Sequence, residues 1–125
     1  MEPQIREVEY YRTKDDKAPF KTWHLSLKDR KMQARVDARI ARLRMGLLGK
    51  CEPVGDGVFE LKDDYGPGYR FYFAEDRGRV VLLLCGGDKS SQKADIQAAK
   101  SYWEDHQQRR RASETHVKQK RKLRR

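Results

Sequence analysis

The run Val80-Val81-Leu82-Leu83-Leu84-Cys85 constrains the fold of this chain more than any other segment. It is apolar at every position, so neither of its faces can be wet. A short strand of that kind belongs in the middle of a sheet. It runs directly into a turn, Gly86-Gly87-Asp88-Lys89-Ser90-Ser91-Gln92, two glycines followed by a lysine and a helix start. A second strand, Gly68-Tyr69-Arg70-Phe71-Tyr72-Phe73, carries an arginine near its beginning. Fixed cations at the edges of a compact sheet are suited to holding phosphate.

The chain has 125 residues, which suggests one domain with a single core. With 38% charged and 37% hydrophobic residues, that core must be modest. No apolar run approaches the length of a membrane span, so no membrane partner is expected. The first residues, Met1-Glu2-Pro3-Gln4-Ile5-Arg6, lack a signal-peptide pattern. Two cysteines, Cys51 and Cys85, are too few for a disulfide framework and read as free thiols in a reducing, cytoplasmic setting. No His/Cys cluster has metal-ligand spacing, and nothing calls for a cofactor. The net charge of +10 is unevenly placed: residues 109–125 hold nine Lys/Arg and one Glu, so the tail carries +8 of it. Composition is therefore a weak argument that the folded part binds nucleic acid.

Alternation around Val8 and Tyr10 predicts a first strand over Ile5 to Arg12. Asp15, Asp16 and Pro19 open a helix with the stripe Phe20, Trp23, Leu27. A second helix is expected from about Asp29, with Met32, Val36, Ile40 and Leu43 on one face, ending at Gly46 and Gly49. Arg35, Arg39 and Arg42 fall on another face. A loop with Pro53, Gly55 and Gly57 leads to strands over Val58 to Lys62, Tyr69 to Ala74 and Val80 to Cys85. A last helix begins near Ser91, with Ile96, Ala99 and Trp103 inside, and continues to about Arg111 or frays. The remainder is expected to be a mobile basic tail or a helix extension. The expected domain is thus 1–108, with a tail over 109–125. The class is α+β, a curled antiparallel sheet packed by an N-terminal helix pair and a C-terminal helix.

Strand parity sorts the sheet residues. Phe59, Leu61, Phe71 and Phe73 should face the helices; Glu60, Lys62, Arg70 and Tyr72 should project from the opposite face and meet across a hairpin. That polar set is either a solvated sheet face with cross-strand ion pairs or a functional one. Lys89 stands at a helix N-terminus, where amide groups and a lysine can hold an anion; alternatively Ser90 or Ser91 is a cap and Lys89 merely exposed. These parts suit metal-free RNA cleavage, in which the ribose 2′-hydroxyl attacks its own phosphate. Arg70 would clamp the phosphate, Lys62 and Lys89 would add charge, and Glu60, or else Glu52, would be the base. Tyr72 or Tyr69 could stack a base or orient the phosphate. His24, His106 and His116 read as surface residues.

At this point the chain resembles the RelE/ParE toxin superfamily, and within it the HigB-like "addiction module killer protein" group. The resemblance rests on Trp23, Leu27-Lys28-Asp29, Ala34-Arg35 through Leu43, Gly46-Leu47-Leu48-Gly49 and Gly57-Val58-Phe59-Glu60-Leu61. It continues through Gly66 to Phe73, Leu83 to Gln92, Asp95-Ile96 and Ala99-Lys100-Ser101-Tyr102-Trp103, and covers roughly residues 5 to 107. It implies the RelE-like, microbial RNase-like fold. It also implies a toxin that cleaves mRNA, commonly on the ribosome. A small antitoxin, usually a helix-turn-helix protein, would neutralise it, and the pair would reach operator DNA only as a complex. By position, Arg70, Lys62 and Lys89 match basic residues of RelE-type enzymes. Glu60 stands where those enzymes tend to have another lysine, and Asp95 and its neighbours where many have a late Tyr or His, so the general acid is unassigned. The tail extends past the usual family end. It is either a solubilising terminus or an anchor on ribosomal RNA, through Arg109, Arg110, Arg111, Lys118, Lys120, Arg121 and Lys122, with Arg35, Arg39, Arg42 and Tyr69 as further RNA contacts. Two other readings stand beside the nuclease: a ParE-like inhibitor of DNA gyrase that acts by binding alone, and a non-catalytic RNA-binding module. The shared fold does not decide among them.

Overall fold

The structure is a computed structural model and describes residues 5–123. Of the anticipated basic tail, residues 124 and 125 and the side chain of Lys122 lie outside the described residues. The chain runs β1 (Glu7–Tyr10), α1 (Pro19–Ser26), α2 (Arg30–Arg44), β2 (Cys51–Gly55), β3 (Val58–Asp63), β4 (Tyr69–Asp76), β5 (Val80–Asp88), a 3-10 turn over Lys89–Ser91, and α3 (Gln92–Leu123). The five strands form one sheet in the order β1-β5-β4-β3-β2. Three pairings are antiparallel; β1 lies parallel to β5, with Val8 beside Val81 and Tyr10 beside Leu83. This is an α+β architecture of RelE-like form.

The apolar β5 is flanked by β1 and β4 and sandwiched between two cores. On one side Phe20, Met32, Val36 and Leu43 of the N-terminal helices pack on Leu61, Phe71, Phe73, Val81 and Leu83. On the other, Ala99 and Trp103 of α3 pack on Val58, Tyr72, Leu82, Leu84 and Cys85. Local signals set the helix starts. Pro19 occupies the first turn of α1, where its missing N–H costs nothing. The Asp29 carboxylate caps α2 by accepting from the amides of Lys31 (2.9 Å) and Met32 (3.4 Å).

Two expectations are corrected. The segment around Pro53 is a strand, not a loop. It pairs with β3 at the sheet margin, with a register shift between Pro53 and Gly55, and only an edge strand tolerates a residue without an N–H. Gly86 and Gly87 continue β5 and are not a turn. They are glycines because both sheet faces are crowded there. A Cβ on Gly86 would lie 2.2 Å from the Trp23 ring, and one on Gly87 would lie 1.9 Å from the Asp95 carboxylate. Trp23 on α1 and Asp95 on α3 thus close on the strand from opposite sides.

At the end of β3, Asp63 ties α2 to the sheet. It accepts a two-pronged contact from Arg35 (2.8 and 3.0 Å), the Tyr65 amide (2.9 Å) and the Tyr69 hydroxyl (3.1 Å). Burial works against the charged carboxylate, but these donors outweigh it and hold its pKa below the ordinary Asp value. A depressed carboxylate contributes stability above its unfolded pKa of about 3.9, and that contribution is lost as pH falls through the folded value. Urea unfolding followed from pH 7 to pH 3 is expected to show a loss of stability on the acid side that Asp63→Asn reduces; an unchanged acid profile in the variant would refute this assignment.

Candidate active site

The β3–β4 ladder places Glu60 opposite Tyr72 and Lys62 opposite Arg70, so the anticipated hairpin register holds. The face they share is not wet, which corrects the solvated-face expectation. α3 crosses it, leaving Tyr72 fully buried, Glu60 5% and Arg70 8% exposed, while Lys62 stays exposed. The polar residues gather where α3 begins, next to a margin still open to solvent.

Glu60 is held from two sides. Its Oε2 accepts the Tyr72 hydroxyl at 3.0 Å and the Gln92 side-chain amide at 2.9 Å. Its Oε1 takes no hydrogen bond from the described residues, and Glu60 borders a cleft of about 210 Å³ with Lys50, Cys51, Glu52 and Lys62. Two donors on one oxygen fix the rotamer and leave the other oxygen to take a proton. Burial, then the hydrogen bond and charge of Glu60, push the Tyr72 hydroxyl well above its usual pKa, so it is a standing donor and not a base. Glu52, the other carboxylate of interest, lies directly across from Glu60 on β2 and is exposed.

Sequence reasoning assigned Gln92 no role. The signal was there: Gln92 begins the inner stripe that continues as Ile96, Ala99 and Trp103, at spacings of four, three and four residues. A polar residue opening a buried stripe needs a partner, and Glu60 is that partner.

The cations sit beside this carboxylate. Like charges directly opposite across a ladder disfavour the sheet, yet Lys62 faces Arg70. Among the described residues, Lys62, Arg70 and Lys89 enter no ion pair. Arg70 donates from one guanidinium nitrogen to the Gly68 carbonyl at 3.2 Å, and its buried Nε has no partner among the described residues. Lys89 is exposed and near: a Cβ on Gly68 would lie 3.8 Å from the Arg70 guanidinium and 3.9 Å from Lys89 Cβ. The cap at this turn is neither Ser90 nor Ser91. Asp88 accepts from the Ser90 amide at 2.8 Å, so that helix-start amide is already taken and Lys89 offers a cation alone.

Other anticipated contacts are placed elsewhere. Tyr69 is 1% exposed on the α2 side and donates to Asp63; with Tyr72 also buried, neither ring presents a face for a base to stack on. Arg35, Arg39 and Arg42 lie on α2, across the sheet from Glu60 and Arg70, and Arg35 is engaged by Asp63 and by the Tyr65 ring 5.1 Å away. Arg109 and Arg110 fasten α3 to the body. Arg109 binds Asp105 and the Arg12 carbonyl, and Arg110 binds Asp76. The buried Cys85 thiol is pushed up to about 12 by burial and the nearby Asp95 charge, which removes it as a nucleophile.

The phage-derived protein Gp49-like family (DUF891) matches residues 25–102. The chain belongs to the Gp49-like family. This is a RelE/HigB-like toxin family, and every residue of the Glu60 cluster, from Lys62 and Arg70 to Lys89 and Gln92, falls inside the matched part of this Gp49-like chain. An uncharacterized protein of Haemophilus influenzae (strain ATCC 51907 / DSM 11121 / KW20 / Rd) is 48% identical over 81 residues, covering 65% of this chain and 82% of the relative. No solved structure matches the chain significantly. Among the described residues no helix is long and apolar enough to cross a membrane.

Proposed function

We propose that this Gp49-like protein is the toxin of a toxin–antitoxin pair and acts as a metal-independent endoribonuclease on mRNA, on the ribosome. Its partner is a cognate antitoxin of helix-turn-helix type. One observation carries the reading: Lys62 and Arg70 face each other across the ladder, neither in an ion pair among the described residues, beside a carboxylate fixed by Tyr72 and Gln92. Folding alone disfavours that arrangement, and a phosphate satisfies it. In the reaction, Glu60 Oε1 takes the proton of a ribose 2′-hydroxyl, whose oxygen attacks the adjacent phosphorus. Arg70, Lys62 and Lys89 stabilise the charge that grows on the phosphate oxygens. The bond from phosphorus to the 5′-oxygen breaks and that oxygen takes a proton from water, leaving a 2′,3′-cyclic phosphate and a 5′-hydroxyl.

Purified protein added to translating ribosomes is expected to produce new mRNA ends bearing those termini, in the presence of a metal chelator. Glu60→Gln keeps an acceptor for Tyr72 and Gln92 but not the basicity, and should slow cleavage by about 10²–10⁴-fold. Absence of new ends, with trapped gyrase–DNA complexes in a parallel assay, would replace this reading by gyrase inhibition.

A further inference from the structure

α3 is a single helix of 32 residues, about 48 Å long at 1.5 Å per residue. Its first part belongs to the body: Trp103 is in the core, and His106 and Arg110 reach the buried Asp76. Beyond Arg110 every described residue to Arg121 is exposed, and the helix extends free of the sheet. This distal part lies outside the residues matched by the family.

A helix polar on all sides needs internal ion pairs or a partner. Internal pairs are scarce here. Residues 111–121 contain Arg111, Lys118, Lys120 and Arg121 against the single acid Glu114, and none of these five enters an ion pair among the described residues. Lys118 and Arg121, three apart, repel on one face. At about 100° per residue, Arg111 and Lys118 share a face, Arg121 lies about 60° from Lys118, and Lys120 is on the opposite side. Three of the four cations thus lie within about 80° of one face along three turns, and Lys120 lies behind them. A row of cations with so few acids suits a polyanion of closely spaced charges, as phosphate backbones are.

We propose that the part of α3 beyond Arg110 is an RNA-binding arm that docks among the phosphates of structured RNA, separately from the Glu60 cluster. The choice of RNA over other polyanions rests on the nuclease reading; the arm itself does not. Arg109 and Arg110 are its anchors, and Arg111, Lys118, Lys120 and Arg121 are its contacts.

The test uses the full chain and a stem-loop RNA carrying 2′-O-methyl groups, which cannot be cut, so that binding is read without cleavage. Binding should weaken steeply with salt. The variant Arg111→Gln/Lys118→Gln/Lys120→Gln/Arg121→Gln should bind more than about tenfold more weakly near 0.1 M salt, with the slope of log K against log salt reduced by about 3, as four lost phosphate contacts require. Circular dichroism checks that α3 persists, and the charge-preserving set Arg111→Lys/Lys118→Arg/Lys120→Arg/Arg121→Lys should bind within about twofold of wild type. An unchanged slope in the glutamine variant would overturn the arm. Equal affinity for a B-form DNA duplex or for polyglutamate would overturn its assignment to RNA. Loss of ribosome-stimulated cleavage with this binding intact would sink the nuclease reading and leave the arm standing.

Discussion

Arg70→Ala is expected to lower mRNA cleavage by about 10²–10³-fold, the cost of removing one preorganised group that stabilises transition-state charge, with little change in melting temperature. Arg70 makes few contacts for a buried arginine. Among the described residues it has one hydrogen bond, to the Gly68 carbonyl, a buried Nε without a partner, Lys62 across the ladder and the Asp88 charge nearby. Truncation therefore removes a buried guanidinium only partly satisfied and a repulsion from Lys62, against a weak attraction to Asp88, and stability should change little. A structural arginine would behave the other way. Because the lost interaction is made in the transition state, kcat and kcat/KM should fall together. Arg70→Lys keeps the charge but not the two-pronged geometry and should lie between wild type and alanine. Full cleavage by Arg70→Ala, or inactivity that tracks a collapse in melting temperature, would refute the assignment.

The separation of Phe59, Leu61, Phe71 and Phe73 from Glu60, Lys62, Arg70 and Tyr72 was legible because strand parity is strict. The hairpin that joins these strands then fixed Glu60 against Tyr72. Parity assigns a side chain to a face; it does not say what covers that face. α3 does, and the only hint of it was a polar residue, Gln92, at the head of an apolar stripe. β2 was hidden because Pro53 is a strand breaker everywhere except at an edge, and edge position is a property of the assembled sheet. Gly86 and Gly87 read as a turn because glycine marks turns. In the fold they mark the close approach of Trp23 and Asp95, which come from segments about 60 residues before and 10 residues after them. The extent of α3 was illegible for a similar reason. Beyond Trp103 its sequence has almost no apolar stripe, and its last attachment to the body is an ion pair to Asp76.

That attachment is the second place where a single substitution should have a large effect. Asp76 ends β4, is 2% exposed, and receives both Arg110 and, at 3.0 Å, His106 Nε2. Removing one partner of a buried charge pair costs about 3–5 kcal/mol, because the other charge is left without compensation. The lower end applies here, since Arg110 and His106 each keep a quarter of their side-chain exposure and water can reach them. Asp76→Ala is therefore expected to destabilise the protein by about 3 kcal/mol, a drop of roughly 10 °C or more in melting temperature for a domain of this size. Asp76→Asn keeps an acceptor but loses the charge and should fall between the two. The damage should be directional. Amide exchange in α3 from His106 onward should rise more than exchange in β3, where Glu60 stays tied to Tyr72 and Gln92. A uniform rise across the sheet would mean that Asp76 holds the whole fold and not the helix. With the anchor loosened, the arm beyond Arg110 loses its fixed direction from the body. RNA affinity should then fall in Asp76→Ala while the salt slope stays that of wild type, because all four distal cations remain.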